Sequence, residues 1–190
     1  MALSCIPKSV LSTANCKENP AGLGNHMFVV PCDTNHISSM VANDEKNQYD
    51  ITPAAGAESA LKGYRIDFKP QTGNYKSDDN GTGKGWSSTA TGRVELSEDD
   101  MAHTSRILHN SDQNLYFLYT GKVVDGKKEY IVIGNENGEA EWAVASDTGT
   151  NRSDDHGQTF TVTCGYQIYP ITKWYGTIEQ EDAESVSSRV

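Results

Sequence analysis

A glycine-rich segment at residues 78–85 is one of several places in this 190-residue chain where residue type and spacing could support chemistry. The residues that resemble the start of a calcium-binding loop are Asp78, Asn80, Thr82 and Gly83. The twelfth position of such a loop would be Thr89, where calcium requires a bidentate glutamate. Gly83-Lys84-Gly85 resembles a phosphate-binding loop, but glycine follows the lysine where serine or threonine is required. The segment therefore predicts a solvated loop tip rather than a calcium or nucleotide site.

A second candidate, Ser153-Asp154-Asp155-His156, places a hydroxyl, two carboxylates and an imidazole side by side. Hydrolases use these groups, because a base activates the nucleophile and an acid orients the base. Those roles require side chains that converge from separate elements, which neighbours in one loop do not do. The segment favours a polar turn, and a hydrolase that depends on His156 ranks third among the functional hypotheses.

Neither the histidines nor the cysteines have the spacing of a metal site. His103 and His109 are six residues apart, about 240° around a helix, so they cannot bind one ion together. His26 and His36 have no partner at ligand spacing. The cysteines form no C-x-x-C pair, which argues against zinc binding and thioredoxin-like redox chemistry. They are Cys5, Cys16, Cys32 and Cys164. We predict no catalytic, cofactor-binding or metal-binding residue, and a protein that is not an enzyme.

The charge balance argues against a nucleic-acid-binding protein. Sixteen Lys and Arg residues against 26 Asp and Glu residues give a net charge of −10. Tight DNA or RNA binding requires clustered cations that neutralise phosphates. No run of 18 apolar residues is present, so no membrane-spanning helix is predicted. The N-terminal residues lack the pattern of a secretory signal, so we expect assembly in the cytoplasm with reduced cysteines.

Alternating polar and apolar residues predict mainly β structure. The predicted strands are 27–30, 64–70, 86–96, 115–120, 122–124, 129–133, 139–145, 158–166 and 168–174. In the strand 158–166, the side chains predicted to face inward are Phe160, Val162, Cys164 and Tyr166. One helix is predicted at about 98–109, because Ser97 can cap it and acidic residues fill its first turn.

These elements divide the chain into three parts. Residues 1–25 are predicted to be an N-terminal arm, 26–176 one domain and 177–190 an acidic C-terminal tail. Inside the domain, the polar and glycine-rich residues 71–85 predict a long flexible loop that joins the strands on either side into a long hairpin. The predicted fold is mainly β: an antiparallel β-sandwich or small barrel with one flanking helix.

The order of these features resembles the tail tube proteins of tailed bacteriophages, of the type found in phages of gut Bacteroidetes. The segments that carry the likeness are NPAGL at 19–23, TATGRVEL at 89–96, GKKEYIVIG at 126–134 and DDHGQTFTVT at 154–163. The likeness spans roughly residues 19–176. The inner tubes of contractile injection machines and of type VI secretion systems are similar.

The resemblance implies a virion structural protein of the tail, assembled in the host cytoplasm. Six copies would pair edge strands into a ring, and rings would stack through the loop and arms into a tube that contacts other tail proteins. Six copies at −10 each would carry about −60, and like charges within a Debye length of about 8 Å would keep passing DNA from binding. The polar face of the strand 86–96 is the predicted wall of this acidic conduit. No membrane contact is implied.

A carbohydrate- or surface-binding β-sandwich, such as an adhesin, a head decoration protein or a baseplate protein, is the alternative. Nine tyrosines and three tryptophans are enough to stack on sugars, provided that they are exposed in rows. The three tryptophans lie in predicted strands, where such side chains are more often buried in the core than exposed: Trp86, Trp142 and Trp174. The sequence therefore favours the tube subunit.

Overall fold

The computed structural model describes residues 23–46, 48–57, 59–94, 105–106, 108–109, 113–147 and 157–181. These residues form the strands β1 (His26–Pro31), β2 (Ile37–Asn43), β3 (Gln48–Pro53), β4 (Leu61–Asp67), β5 (Asn74–Asp79), β6 (Trp86–Val94), β7 (Asn114–Val124), β8 (Lys127–Ile133), β9 (Glu141–Asp147), β10 (Gly157–Gln167), β11 (Lys173–Gly176) and β12 (Ile178–Gln180). Within the described ranges the pairings are antiparallel, except that β11 pairs with β3 and β12 with β4 in parallel. The predicted mainly β class is confirmed.

The strands form two sheets. The larger has eight strands in the order β12-β4-β1-β7-β8-β11-β3-β2 and curls into a half-barrel. The smaller has four strands in the order β5-β6-β10-β9. Across the described residues, no helix is both long and apolar enough to cross a membrane.

One hydrophobic core fills the space between the two sheets. Met27 and Tyr116 contribute to it from the larger sheet, and Trp142 and Phe160 from the smaller. The Trp142 ring stacks on both of the other aromatic rings, nearly parallel to each, with its centroid 5.4 Å from that of Phe160 and 6.0 Å from that of Tyr116. Aromatic side chains bury the largest areas of any residue, so this stack is a main attachment of the smaller sheet.

A second core lies on the other face of the larger sheet, inside the half-barrel. Phe28, Phe117, Tyr130 and Trp174 meet there, and the ring centroids of Phe117 and Trp174 are 5.4 Å apart. The central strands are thus covered on both faces, which requires consecutive apolar residues instead of alternation. This explains the apolar run at 27–30, whose prediction as a strand is confirmed by β1.

The two ends of the larger sheet are joined by an ion-pair cluster, which we call the clasp. His36, just before β2, has its Nδ1 2.6 Å from Asp33 Oδ1 and its Nε2 3.0 Å from Glu181 Oε2, just after β12. Burial lowers the pKa of His36, but its hydrogen bonds to the two carboxylates outweigh this, so the pKa is raised. The imidazolium therefore ties the two edge strands of the half-barrel together.

The prediction of a long flexible loop at 71–85 is wrong. Asn74–Asp79 form β5, an edge strand that pairs with β6, and the turn is confined to the tip that follows it. The Tyr75 hydroxyl anchors this strand by donating to the Pro170 carbonyl at 2.9 Å and lying 2.9 Å from Ser88 Oγ. An edge strand with one packed face tolerates polar residues. β5 therefore lacks the polar–apolar alternation from which a strand is predicted.

The predicted hairpin between the strands 64–70 and 86–96 is also wrong, because β4 and β6 lie in different sheets. Lys69 N donates to the Arg93 carbonyl at 2.7 Å, but the strands themselves do not pair. The chain crosses between sheets after Phe68, whose side chain packs in the core between them. The strands β2 and β3 were not predicted, since their residues are half polar.

The proposed domain boundary at 176 is also too early. Residues 178–180 form β12, which pairs with β4, and Ile178 is buried in the half-barrel. Ser105, Arg106, Leu108 and His109 are helical, within the helix predicted at 98–109; the rest of that helix lies outside the described residues, as do 1–22 of the arm and 182–190 of the tail.

Candidate assembly surface

The four-stranded sheet turns one face toward the core and leaves the other without a covering element in the described part of the chain; we call the latter the outer face. Its described side chains are Asn74, Lys76, Asp78, Ser87, Thr89, Thr91, Arg93, Glu141, Ala143, Ala145, Thr159, Thr161 and Thr163. Five of them are threonines from β6 and β10. The outer face is therefore a flat surface dominated by hydroxyl groups.

Alternation along β6 fixes which face each side chain occupies. Ser88, Ala90, Gly92 and Val94 are buried, while the residues between them are half-buried on the outer face. Gly92 leaves room for the neighbouring ring, because a Cβ there would lie 2.5 Å from Phe160. The alternation predicted for this strand is confirmed from Trp86 to Val94, where β6 ends.

Cross-strand pairing arranges the outer face in rows. In one row Lys76 of β5 pairs with Thr89 of β6, which pairs with Thr163 of β10, which pairs with Glu141 of β9. The row thus begins with a cation at one edge of the sheet and ends with an anion at the other. Among the described side chains of the face, Lys76 and Arg93 balance Asp78 and Glu141, so the negative charge of the chain is not concentrated there.

The edges of this sheet, β5 and β9, have no further strand beside them in the described ranges. Three antiparallel steps separate them, so β9 runs opposite to β5. β9 contains no lysine or proline, the residues with which proteins usually protect an edge from pairing. Both edges therefore keep the backbone donors and acceptors with which another strand could pair.

The loop tip that resembles a calcium site is organised by its own hydrogen bonds. Asp78 Oδ2 lies 2.7 Å from Lys76 Nζ, and Asp79 Oδ1 accepts from the Gly81 N–H at 2.8 Å. Asn80 Nδ2 donates to the Gly165 carbonyl at 2.8 Å, which attaches the tip to β10. No group of three histidine, cysteine, aspartate or glutamate side chains within the described ranges is arranged to hold a metal ion.

The histidines occupy separate environments. His26 is buried and stacks on Tyr119 with centroids 4.9 Å apart; burial and the nearby Arg65 lower its pKa to about 4. His36 belongs to the clasp, and His109 is exposed. His103 and the segment 153–156 lie outside the described residues.

A buried carboxylate that the sequence did not single out lies on β8. Glu129 accepts hydrogen bonds from Lys173 at 3.1 Å, Tyr175 at 3.0 Å and Thr120 at 3.0 Å. Burial raises the pKa of Glu129, but these donors outweigh it and hold the pKa below its usual value. Because its donors are supplied within the fold, this cluster stabilises the larger sheet.

The aromatic residues do not form exposed rows among the described residues. Trp142 and Trp174 are buried, as predicted, and Trp86 is half-buried. Cys164 is buried as predicted, and both it and Cys32 are free thiols. Tyr166, predicted to face inward, is instead 69% exposed.

A β-bulge explains the wrong orientation of Tyr166. The pairing register between β10 and β6 shifts between Cys164 and Gln167, so Gln167 takes the inward position. An inserted residue reverses the alternation that follows it. A run such as Cys-Gly-Tyr-Gln gives one weak signal of this, the glycine at 165.

The comparisons with known proteins identify no relative. No protein-family model matches this chain, and no curated protein and no solved structure matches it.

Proposed function

We propose that the protein is a structural subunit of the phage tail tube type, which assembles into closed rings through the two edges of its four-stranded sheet. The observation that carries this proposal is the sheet itself, with an outer face that no described element covers and two edges that run in opposite directions, of which β9 lacks lysine and proline. In the proposed assembly the subunits act in the virion tail, after assembly in the host cytoplasm, and contact other tail proteins.

Strand direction favours a head-to-tail ring. When β9 of one copy lies beside β5 of the next, the two strands are antiparallel, so the sheet continues with its own pattern of pairing. Such a heterologous contact forms a ring if its rotation closes. The row that starts at Lys76 and ends at Glu141 would then place opposite charges side by side at each junction.

The size of such a ring suits a conduit. Six copies of a four-stranded sheet give 24 strands, which at a spacing of about 4.8 Å and a tilt of about 40° make a barrel roughly 50 Å across. The outer face would line its interior with threonine hydroxyls and balanced charges. DNA would pass such a wall without the clustered cations that phosphate binding requires.

The test is the oligomeric state of the purified full-length chain. Light scattering and negative-stain microscopy are expected to find rings or stacked tubes at high protein concentration. Lys76→Glu is expected to reduce assembly about tenfold or more, because each ring repeats the repulsive contact at every junction. Folding should be little affected, since an exposed ion pair contributes about 0–1 kcal/mol.

The double variant Lys76→Glu/Glu141→Lys restores opposite charges at the junction and is expected to restore rings. Lys62→Glu makes the same charge change at an exposed position of the larger sheet and should leave assembly unchanged. A wild-type chain that stays monomeric at every concentration and salt overturns the proposal. Equal effects of Lys76→Glu and Lys62→Glu on assembly would instead mean that the interface does not involve the edges β5 and β9.

A further inference from the structure

A cleft opens at the end of the smaller sheet, next to the larger one. Its walls are the tip between β5 and β6 at residues 83–85, the turn after β8 at 135–137 and the end of β10 at 166–168. Tyr49 of β3 also lines it. The volume is about 500 Å³, within the usual range of small-ligand sites.

Hydrogen bonds hold each wall in place. Asn80 ties the β5–β6 tip to β10, as described above, and Asn135 Nδ2 donates to Glu139 Oε2 at 2.7 Å and to the Tyr166 carbonyl at 3.3 Å. Gln167 Nε2 donates to the carbonyls of Val132 at 3.0 Å and of Gly134 at 3.2 Å, and its Oε1 accepts from Ser88. The cleft is therefore formed before any ligand arrives, which lowers the entropic cost of binding.

The bulge in β10 supplies the cleft with an exposed aromatic ring. Tyr166 is 69% exposed and Ile168 49% exposed, on either side of the buried Gln167. Bulges are frequent next to functional sites because they redirect a side chain. An exposed tyrosine beside a cleft offers a flat apolar face for a ligand ring.

Polar groups complete the lining. The Tyr49 side chain is fully buried and its hydroxyl has no hydrogen-bond partner of good geometry, although the Ile168 N–H lies near enough to lower its pKa slightly. Burial, with a smaller contribution from Glu136, raises the pKa of Tyr49 to about 12. The hydroxyl oxygen has almost no accessible surface, so Tyr49 supports the inner wall of the cleft and is out of reach of a ligand. Lys84, Glu136 and Asn137 offer donors and acceptors at the rim.

We infer that this cleft binds a neutral sugar, with the apolar face of a pyranose ring on Tyr166 and sugar hydroxyls bonded to Glu136 and Asn137 at the rim. A sugar matches the combination of one exposed aromatic face with amide and carboxylate groups beside it. Lys84 and Glu136 balance each other, which favours a neutral ligand over an anion such as a phosphate. This inference is independent of ring assembly, since it uses neither edge of the four-stranded sheet.

The experiment is a titration of the full-length protein with maltotriose, cellotriose and galactobiose, each to about 20 mM, followed by amide chemical shifts and calorimetry. At least one sugar is expected to shift the amides of residues 135–137 and 166–168. Tyr166→Ala is expected to weaken that affinity about tenfold, because the variant lacks the aromatic face on which the sugar ring stacks. Asn137→Ala removes an exposed amide from the rim and is expected to weaken it several-fold.

Ile171→Ala is the matched control, because Ile171 is also exposed in the segment after β10 but does not line the cleft. It should leave affinity unchanged, and all variants should keep the far-UV circular dichroism of the wild type. The inference is overturned if none of the three sugars shifts the cleft amides. It is equally overturned if Tyr166→Ala and Ile171→Ala bind the responding sugar alike.

Discussion

The two sheets differ in how many of their faces are covered. The central strands β1, β7 and β8 of the larger sheet pack against the smaller sheet on one side and enclose the half-barrel core on the other. The strands β6 and β10 of the smaller sheet pack on one side alone, in the described part of the chain, and leave threonines on the other. The larger sheet therefore carries stability, and the smaller one has a surface free for function.

This difference is visible in residue type. Strands covered twice contain consecutive apolar residues, whereas strands covered once alternate threonine with apolar residues. The runs at 115–118 and 159–164 illustrate the two cases. An exposed sheet face built from threonine keeps high β propensity without offering apolar area for non-specific association.

The largest expected effect tests the comparison directly. Phe117→Ala removes a fully buried ring from the half-barrel core and is expected to destabilise the protein by about 3–5 kcal/mol. Thr161→Ala, at the centre of the outer face, should cost about 1 kcal/mol or less, through the lower β propensity of alanine. Urea denaturation of both variants measures the difference. Similar losses for the two would mean that the outer face is covered in the folded protein.

A smaller effect is expected where the two sheets are joined by polar groups. Gln167→Ala leaves Ser88 and the carbonyls of Val132 and Gly134 without their partner, in a site where Gln167 is 2% exposed. A loss of about 2–3 kcal/mol is expected from these unsatisfied groups. Gln113→Ala is the control, because Gln113 is exposed. Urea denaturation measures the midpoints of both variants. Equal midpoints for Gln167→Ala and Gln113→Ala would show that the attachment of the two sheets does not depend on the Gln167 hydrogen bonds.

Periodicity predicted those elements whose burial follows a simple rule. The apolar run of β1, the alternation of β6 and the turn at Asp125-Gly126 all appear as expected; both turn residues have positive φ, as a two-residue hairpin turn requires. The pattern failed at β5, which is polar because it lies at an edge. It failed again at β12, whose parallel pairing with β4 is set by contacts distant in sequence.

The functional surfaces were predicted in part. The polar face of the strand starting at Trp86 was identified from alternation, and it supplies four of the thirteen described side chains of the outer face. The cleft was not foreseen, because it depends on a bulge that turns Tyr166 outward and on a buried Tyr49 from a strand with no clear pattern. Four segments far apart in sequence meet there, and residue spacing along a chain does not contain that information.

The clasp provides the smallest expected effect, and it tests whether the half-barrel is held closed at its ends. The pKa of His36 is raised in the folded protein, so its contribution to stability is fully present below the unfolded value of about 6.5 and is lost as pH rises through the folded value. Urea midpoints of the wild type should therefore fall relative to His36→Gln as pH increases from 6 to 8.5. The loss is expected to be about 1 kcal/mol or less, because Asp33 is partly exposed.

Two variants separate the clasp from other titrating groups. Glu181→Gln should remove part of the His36 contribution to the pH dependence, since it leaves the Asp33 contact at 2.6 Å intact, whereas His36→Gln should remove all of that contribution. His26 contributes with the opposite sign, because its pKa is lowered to about 4 by burial and by Arg65 in the folded protein and only the unfolded state titrates near 6.5. This contribution is common to the wild type and His36→Gln, so it cancels in the difference between them. A pH dependence that is unchanged in His36→Gln would mean that the edge strands β2 and β12 are held in place by the half-barrel core alone. The larger sheet would then owe its closure to apolar packing through Ile37 and Ile178, the buried residues that these two strands contribute.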